Sequence, residues 1–126
     1  MTVSNPLFTI PGLKASVTQA SNQFKIMRLS TTAGEVKVGT SATSNICGVL
    51  LNDPGEGEAA EVQFCGIAKV LTEASVTVGG IVACSSTGRA KLSTTGGDRI
   101  LGIAMDAAGA AGDLIRVLLN VGVNGD

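Results

Sequence analysis

A chain of 126 residues and net charge −1 has the size of one ordinary domain, and its singly scattered charges set up no field that would draw it to nucleic acid or an anionic membrane. It has no histidine, tyrosine or tryptophan and three phenylalanines, which excludes every imidazole-dependent catalytic scheme and leaves no aromatic platform for stacking bases. The apolar 44% is mostly alanine, valine, leucine and isoleucine, so a core of small side chains leaves a monomer thinly stabilised, and association with copies of itself would bury more area.

The first stretch, MTVSNPLFTIPGLKASVTQA, carries Pro6, Pro11 and Gly12 and has neither helical nor strand periodicity. Proline fixes φ and removes a ladder donor, so the pattern predicts an extended arm over residues 1–20, followed by a single β domain over residues 21–126. Leu7, Phe8, Ile10 and Leu13 are too apolar for a solvated tail, and the arm is expected to lie on its own domain or on a neighbour. No basic segment followed by an apolar one opens the chain, and no apolar run nears the roughly eighteen residues of a membrane span, so a soluble, unsecreted protein is expected.

From Gln23 the signals are short strands separated by turn residues, the pattern of an all-β barrel or sandwich of antiparallel strands with little or no helix. QFKIMRLS (Gln23 to Ser30) is followed by GEVKVG, where Val36 and Val38 alternate with Glu35 and Lys37. ICGVLL, the loop Asn52 to Ala59 and AEVQFCGIAKVL come next, and Gly66 interrupts the alternation in a way that predicts a bulge or barrel corner. SVTVGGIVACSSTGRAKLS reads as strand, Gly79-Gly80 turn, strand, Ser86-Thr87-Gly88 turn, strand. Helix signals are scarce: Val17 to Phe24 could form a short one, whereas the glycines of DAAGAAG, Asp106 to Gly112, favour a loop.

No residue set carries a catalytic signature. S-x-x-K and G-x-S-x-G are absent, and nothing near Thr2 would activate it as an N-terminal nucleophile. Cys47, Cys65 and Cys84 sit in apolar strand-like runs, without CxxC spacing or histidine, and read as buried free thiols in a reducing compartment rather than metal ligands. The acidic loop NDPGEGE offers Asp53, Glu56 and Glu58 in succession, which fits a solvated turn better than a calcium loop. It also lacks the lysine and the following helix of a phosphate loop. No catalytic, cofactor-binding or metal residue is therefore assigned.

One stretch occurs nearly twice. ICGVLLNDPGEGEAAEVQFCG, Ile46 to Gly66, aligns with ILGIAMDAAGAAGDLIRVLLN, Ile100 to Asn120: Ile46, Gly48 and Val49 with Ile100, Gly102 and Ile103, Gly57 and Glu58 with Gly112 and Asp113, and Val62 with Val117. The second copy keeps the glycines and drops most of the charge, so what repeats is a long-looped hairpin, and a pseudo-symmetric barrel or sandwich is expected.

The run QFKIMRLST, GEGEAAEVQFCGIAKV, TVGGIVACSSTGRAKL and ILGIAMDAAGAAGDLIRVLL resembles the small head-decoration, or capsid cement, proteins of tailed phages, through strand pattern and the turn glycines Gly48, Gly57, Gly66, Gly80, Gly88, Gly102 and Gly112. The resemblance implies a structural virion protein, made in the host cytoplasm, that sits on the outer capsid surface. It further implies that the protein trimerises and bridges neighbouring major capsid protein subunits. In such proteins the N-terminal segment reaches onto the capsid, and the positions that match that role are Leu7, Phe8, Ile10, Pro11 and Leu13. The competing readings are a small β-barrel binding module for carbohydrate or peptide and an enzyme using carboxylates such as Glu61, Asp98 and Asp106. The first lacks the aromatic residues that sugar sites favour.

Overall fold

The structure, a computed structural model, describes residues 9–19 and 21–123. Among these, ten strands form and no helix: β1 (Lys14–Ala15), β2 (Ile26–Leu29), β3 (Glu35–Val38), β4 (Ile46–Leu50), β5 (Val62–Gln63), β6 (Cys65–Leu71), β7 (Ile81–Cys84), β8 (Ala90–Leu92), β9 (Arg99–Ala104) and β10 (Leu114–Val123). The all-β expectation holds. The short helix that Val17 to Phe24 could form is not present at the described residues 17–19 and 21–24, which are bends, turns and irregular chain, and Phe24 takes φ 69, a left-handed conformation no helix accommodates; Ala20 lies outside the described residues.

The strands make two five-stranded sheets, ordered β1-β3-β2-β4-β5 and β6-β10-β9-β7-β8. Only Phe64 separates β5 in the first sheet from β6 in the second, and Gly66 follows with φ 82, so the break in alternation marks the corner where the chain changes sheets. β10 shows why these sequences are strands: Ile115, Val117 and Leu119 face inward while Leu114, Arg116 and Leu118 face out.

The two sheets are copies of one design, and the repeat extends well beyond the hairpin visible in the sequence. Met27 and Leu29 pair with Val38 and Val36 as Val82 and Cys84 pair with Leu92 and Ala90. Ile26, Met27 and Arg28 pair with Val49, Gly48 and Ile46, with a register shift after Met27. Ile81, Val82 and Ala83 pair with Ile103, Gly102 and Ile100, with the shift after Val82. The hairpins agree in register too, Val49↔Gln63 and Leu50↔Val62 matching Ile103↔Leu118 and Ala104↔Val117. Phe24 itself has Gly79 as its counterpart: each has positive φ, and each donates its N–H to the end of the following hairpin strand, Leu50 O at 2.7 Å and Ala104 O at 2.8 Å.

Each sheet curls until its edges are joined through one segment. In the second repeat β6 pairs along β10, and Thr72, which follows it, bridges to Ala90 of β8. In the first repeat residues 9–15 do the same: Thr9 bridges to Gln63, Lys14 to Ala59, and β1 then runs parallel to β3. The backbone bonds agree atom for atom. Ala15 N donates to Glu58 O and Gly57 N to Ala15 O, both at 2.9 Å; Thr72 N donates to Asp113 O at 2.9 Å and Gly112 N to Thr72 O at 2.8 Å.

The interiors match as well. Leu13, Met27, Val36, Leu50, Ala60 and Val62 fill the first, and their counterparts Val70, Val82, Ala90, Ala104, Ile115 and Val117 fill the second. The two are joined because Ile26, Ile46 and Val49, on the other face of the first sheet, belong to the second repeat's core cluster. Backbone bonds cross between the repeats from Ile26 N to Gly88 O, Arg99 N to Ala42 O and Leu71 N to Phe24 O.

Of the turn glycines, Gly57, Gly88 and Gly112 take φ of 79, 82 and 89, and Gly80 packs against Leu92 while Gly79 takes the positive φ. Gly48 and Gly102 have a different role. A Cβ on either would collide with a backbone carbonyl, that of Gln63 or of Leu118, equivalent positions across the hairpin. Gly102→Ala and Gly48→Ala are each expected to cost about 3 kcal/mol, the upper part of the overpacking range, since backbone rather than a pliable side chain must give way. Gly112→Ala, with nothing within 4 Å, should cost only the about 1–2 kcal/mol of a left-handed L-residue. Urea unfolding midpoints of the three variants check the order.

Candidate docking surfaces

Of the arm expected over residues 1–20, residues 9–19 are described, and residues 9–15 form a wall of the first repeat. Ile10 N donates to Val62 O at 3.0 Å and Ala60 N to Leu13 O at 3.0 Å, so this stretch is held by a ladder and not by side chains alone. Leu13 is buried in the first repeat's interior and Ile10 packs against it, while Pro11 is exposed. Leu7 and Phe8 lie outside the described residues.

Beside this segment runs an apolar groove of about 570 Å³, lined by Ile10, Pro11, Cys47, Phe64, Cys65 and Leu119, with Asn120 and Val121 at its end. Phe64 stands at the corner between the sheets and is exposed, in contrast to a core position. All three cysteines are free. Burial pushes the Cys47 and Cys84 thiols up to about 11, so both are protonated at neutral pH and poor nucleophiles. Each rests on a nearby carbonyl, Cys47 Sγ 3.6 Å from Met27 O and Cys84 Sγ 3.2 Å from Ser85 O. Under native conditions at pH 7.5 Cys84 is expected to react with a thiol reagent such as DTNB only as the protein opens, at least about a hundredfold slower than in urea, which stopped-flow absorbance would measure.

The carboxylates hold turns, and they do so in equivalent places. In the acidic loop Glu58 Oε1 accepts from Gly55 N at 2.6 Å, as Asp113 Oδ2 accepts from Gly109 N at 3.2 Å. Asn52 Oδ1 accepts from Glu61 N at 3.1 Å, as Asp106 Oδ2 accepts from Arg116 N at 2.9 Å. Asp98 Oδ2 takes the N–H groups of Thr94 and Thr95, as Ser44 Oγ takes those of Thr40 and Ser41. Asp53 and Glu56 are exposed. Asp98 and Asp106 stand at opposite ends of β9, each engaged in its own turn, and among the described residues no three of the Cys, Asp and Glu side chains are grouped to hold a metal ion.

Asp106 also receives two bonds from the Arg116 guanidinium, at 3.0 and 2.8 Å, which together with the backbone N–H bring its carboxyl down to about 2. Hydrogen bonds from Thr87 and Ser85 lower Glu73, and one from Ser93 lowers Asp98. A carboxyl with a folded pKa below its unfolded value stabilises the fold above the unfolded value, and that contribution fades as pH falls from about 4 toward 2. Asp106→Asn should therefore flatten the acid limb of the stability curve between pH 4 and 2, read from thermal midpoints.

The match to a family model for phage cement proteins covers residues 21–119. The chain belongs to the phage cement protein family. A solved structure, the N base of head fibre gp8.5 from bacteriophage phi29, has the same fold: it aligns over 86% of this chain and 90% of its own, with TM-score 0.66 and 15% sequence identity. No curated protein matches. This cement protein's family match begins after the arm segment and takes in both curled sheets save β1 and the end of β10. Reasoning from sequence missed that residues 9–15 are the counterpart of β6. Pro11 and Gly12 conceal the strand, and the signal that could have exposed it is the like arrangement of Leu13 and Ala15 before Val36 and of Val70 and Thr72 before Ala90.

Proposed function

We propose that this cement protein decorates the outer surface of a phage head as a homotrimer, bridging neighbouring major capsid protein subunits without catalysis. The observation that carries this reading is where the polar chemistry goes. Glu58, Asp98, Asp106 and Asp113 all bind backbone N–H groups of their own turns, and the thiols of Cys47 and Cys84 are held protonated, whereas the accessible features are apolar: Phe64, Pro11 and the groove between them. A surface that adheres needs such features and no titratable machinery. Family membership and the head-fibre fold support the same role.

The arm residues divide in this reading. Leu13 and Ile10 hold the first repeat together and Pro11 lines the groove, so capsid contact falls to Leu7 and Phe8. Adding purified protein to undecorated heads of the phage that encodes it should give saturable binding, with new cryo-EM density at threefold positions on the outside of the shell. Removing residues 2–8 should weaken that binding about tenfold or more with the fold intact. Unchanged binding takes the arm out of the proposal, and absence of any saturable binding takes out the decoration role itself.

A further inference from the structure

The internal duplication gives the cement protein's exposed apolar faces counterparts that are covered within the chain. Within the chain, Ile26, Ile46 and Val49 of the first repeat are 0%, 7% and 0% exposed because they lie in the second repeat's core cluster. Their counterparts Ile81, Ile100 and Ile103 keep the same aliphatic character, yet Ile81 and Ile103 are 42% and 44% exposed and Ile100 is half-buried. Ile81 pairs directly with Ile103 across the sheet, Ile103 with Leu118 and Leu118 with Ile67, so one exposed aliphatic row spans four strands. Among the described residues, nothing of the first repeat's kind covers it.

The receiving side shows the same asymmetry in reverse. Ala68, Leu101 and Leu119 are second-repeat members of the joint core; of their counterparts, Pro11 and Phe64 are exposed, and Cys47 is half-buried, packed against the edge of the first repeat's interior. Those counterparts line the groove described above, with Phe64 40% exposed where Leu119 is 5%. The monomer therefore carries an unused copy of each half of its own internal contact. Asn120 and Val121 border both the groove and the aliphatic surface beside Ile100 and Ile103, so the two faces flank one edge of the molecule. Two unlike faces converging on one edge is what each subunit of a closed ring presents toward the symmetry axis.

We propose that copies of this chain associate head to tail, with Ile81, Ile100 and Ile103 of one copy seated on the Pro11, Cys47 and Phe64 groove of the next. The contact between chains repeats the contact between repeats within a chain, with β10's end at the axis. This rests on the oligomeric reading given above but requires no capsid, so it is tested on the free protein.

Light scattering on size-exclusion peaks over about 1 to 100 µM measures the association. Wild type should be an oligomer. Ile103→Lys on one face and Phe64→Glu on the other should each weaken association about tenfold or more, while Val78→Lys, at an exposed apolar residue outside both faces, leaves it unchanged. Far-UV circular dichroism and thermal midpoints verify folding, and if either charged variant unfolds, Ile103→Thr and Phe64→Ser take their place. A monomeric wild type overturns the proposal, as does association that survives both substitutions. Sensitivity at Ile103 but not at Phe64 overturns the head-to-tail contact in favour of like faces meeting. A wild type that oligomerises as expected yet binds no head leaves this contact standing and removes the decoration role.

Discussion

In each repeat the backbone of one strand comes down so closely on the next that only a hydrogen atom fits between them. The carbonyl of Gln63 occupies the place of a side chain at Gly48, and that of Leu118 does the same at Gly102. This approach lets a hairpin fold tightly enough for its sheet to curl, and the curl brings β3 and β8 round to the segments that close them, residues 14–15 and Thr72. An interior bounded that way is narrow. Valine, alanine and leucine fill it, which accounts for an apolar fraction of 44% with aromatics at only 2%.

The polar residues follow from the same economy. Curled sheets of short strands need many turns, and each turn leaves backbone N–H groups to satisfy. Ser44 and Asp98, Asn52 and Asp106, Glu58 and Asp113 meet that need in pairs; in the first two a hydroxyl or amide in one repeat matches a carboxylate in the other, and in the third both are carboxylates. Within NDPGEGE, Glu58 is thus a local choice of acceptor in a shape common to both copies, while Asp53 and Glu56 stay exposed.

Much of this was legible in the residues. The hairpin repeat from Ile46 and from Ile100 follows from the glycine spacing, and Gly66 marks its corner because alternation fails there. The rest of the duplication was hidden because backbone geometry holds it and side-chain identity does not. Phe24 and Gly79 share a conformation that sequence would assign only to the glycine, and Ala15 and Thr72 share hydrogen bonds indifferent to their side chains. The exposed aliphatic row was hidden for another reason. Alternation in β9 separates two faces but cannot say which is dry when both are apolar, and RILGIA places isoleucine on the open side.

The way residues 9–15 are built in has a mechanical side. They run as a strand along β5 and then along β3, with bonds at Ile10, Lys14 and Ala15 and a buried anchor at Leu13. Tension applied along this strand from its N-terminal end loads those bonds together, in shear, instead of peeling them off one after another. The load passes through Leu13 into the first repeat's interior and, by way of Ile26 and Val49, into the second. A tether fixed at that end pulls on both curled sheets at once, and the chain answers as a single stiff body.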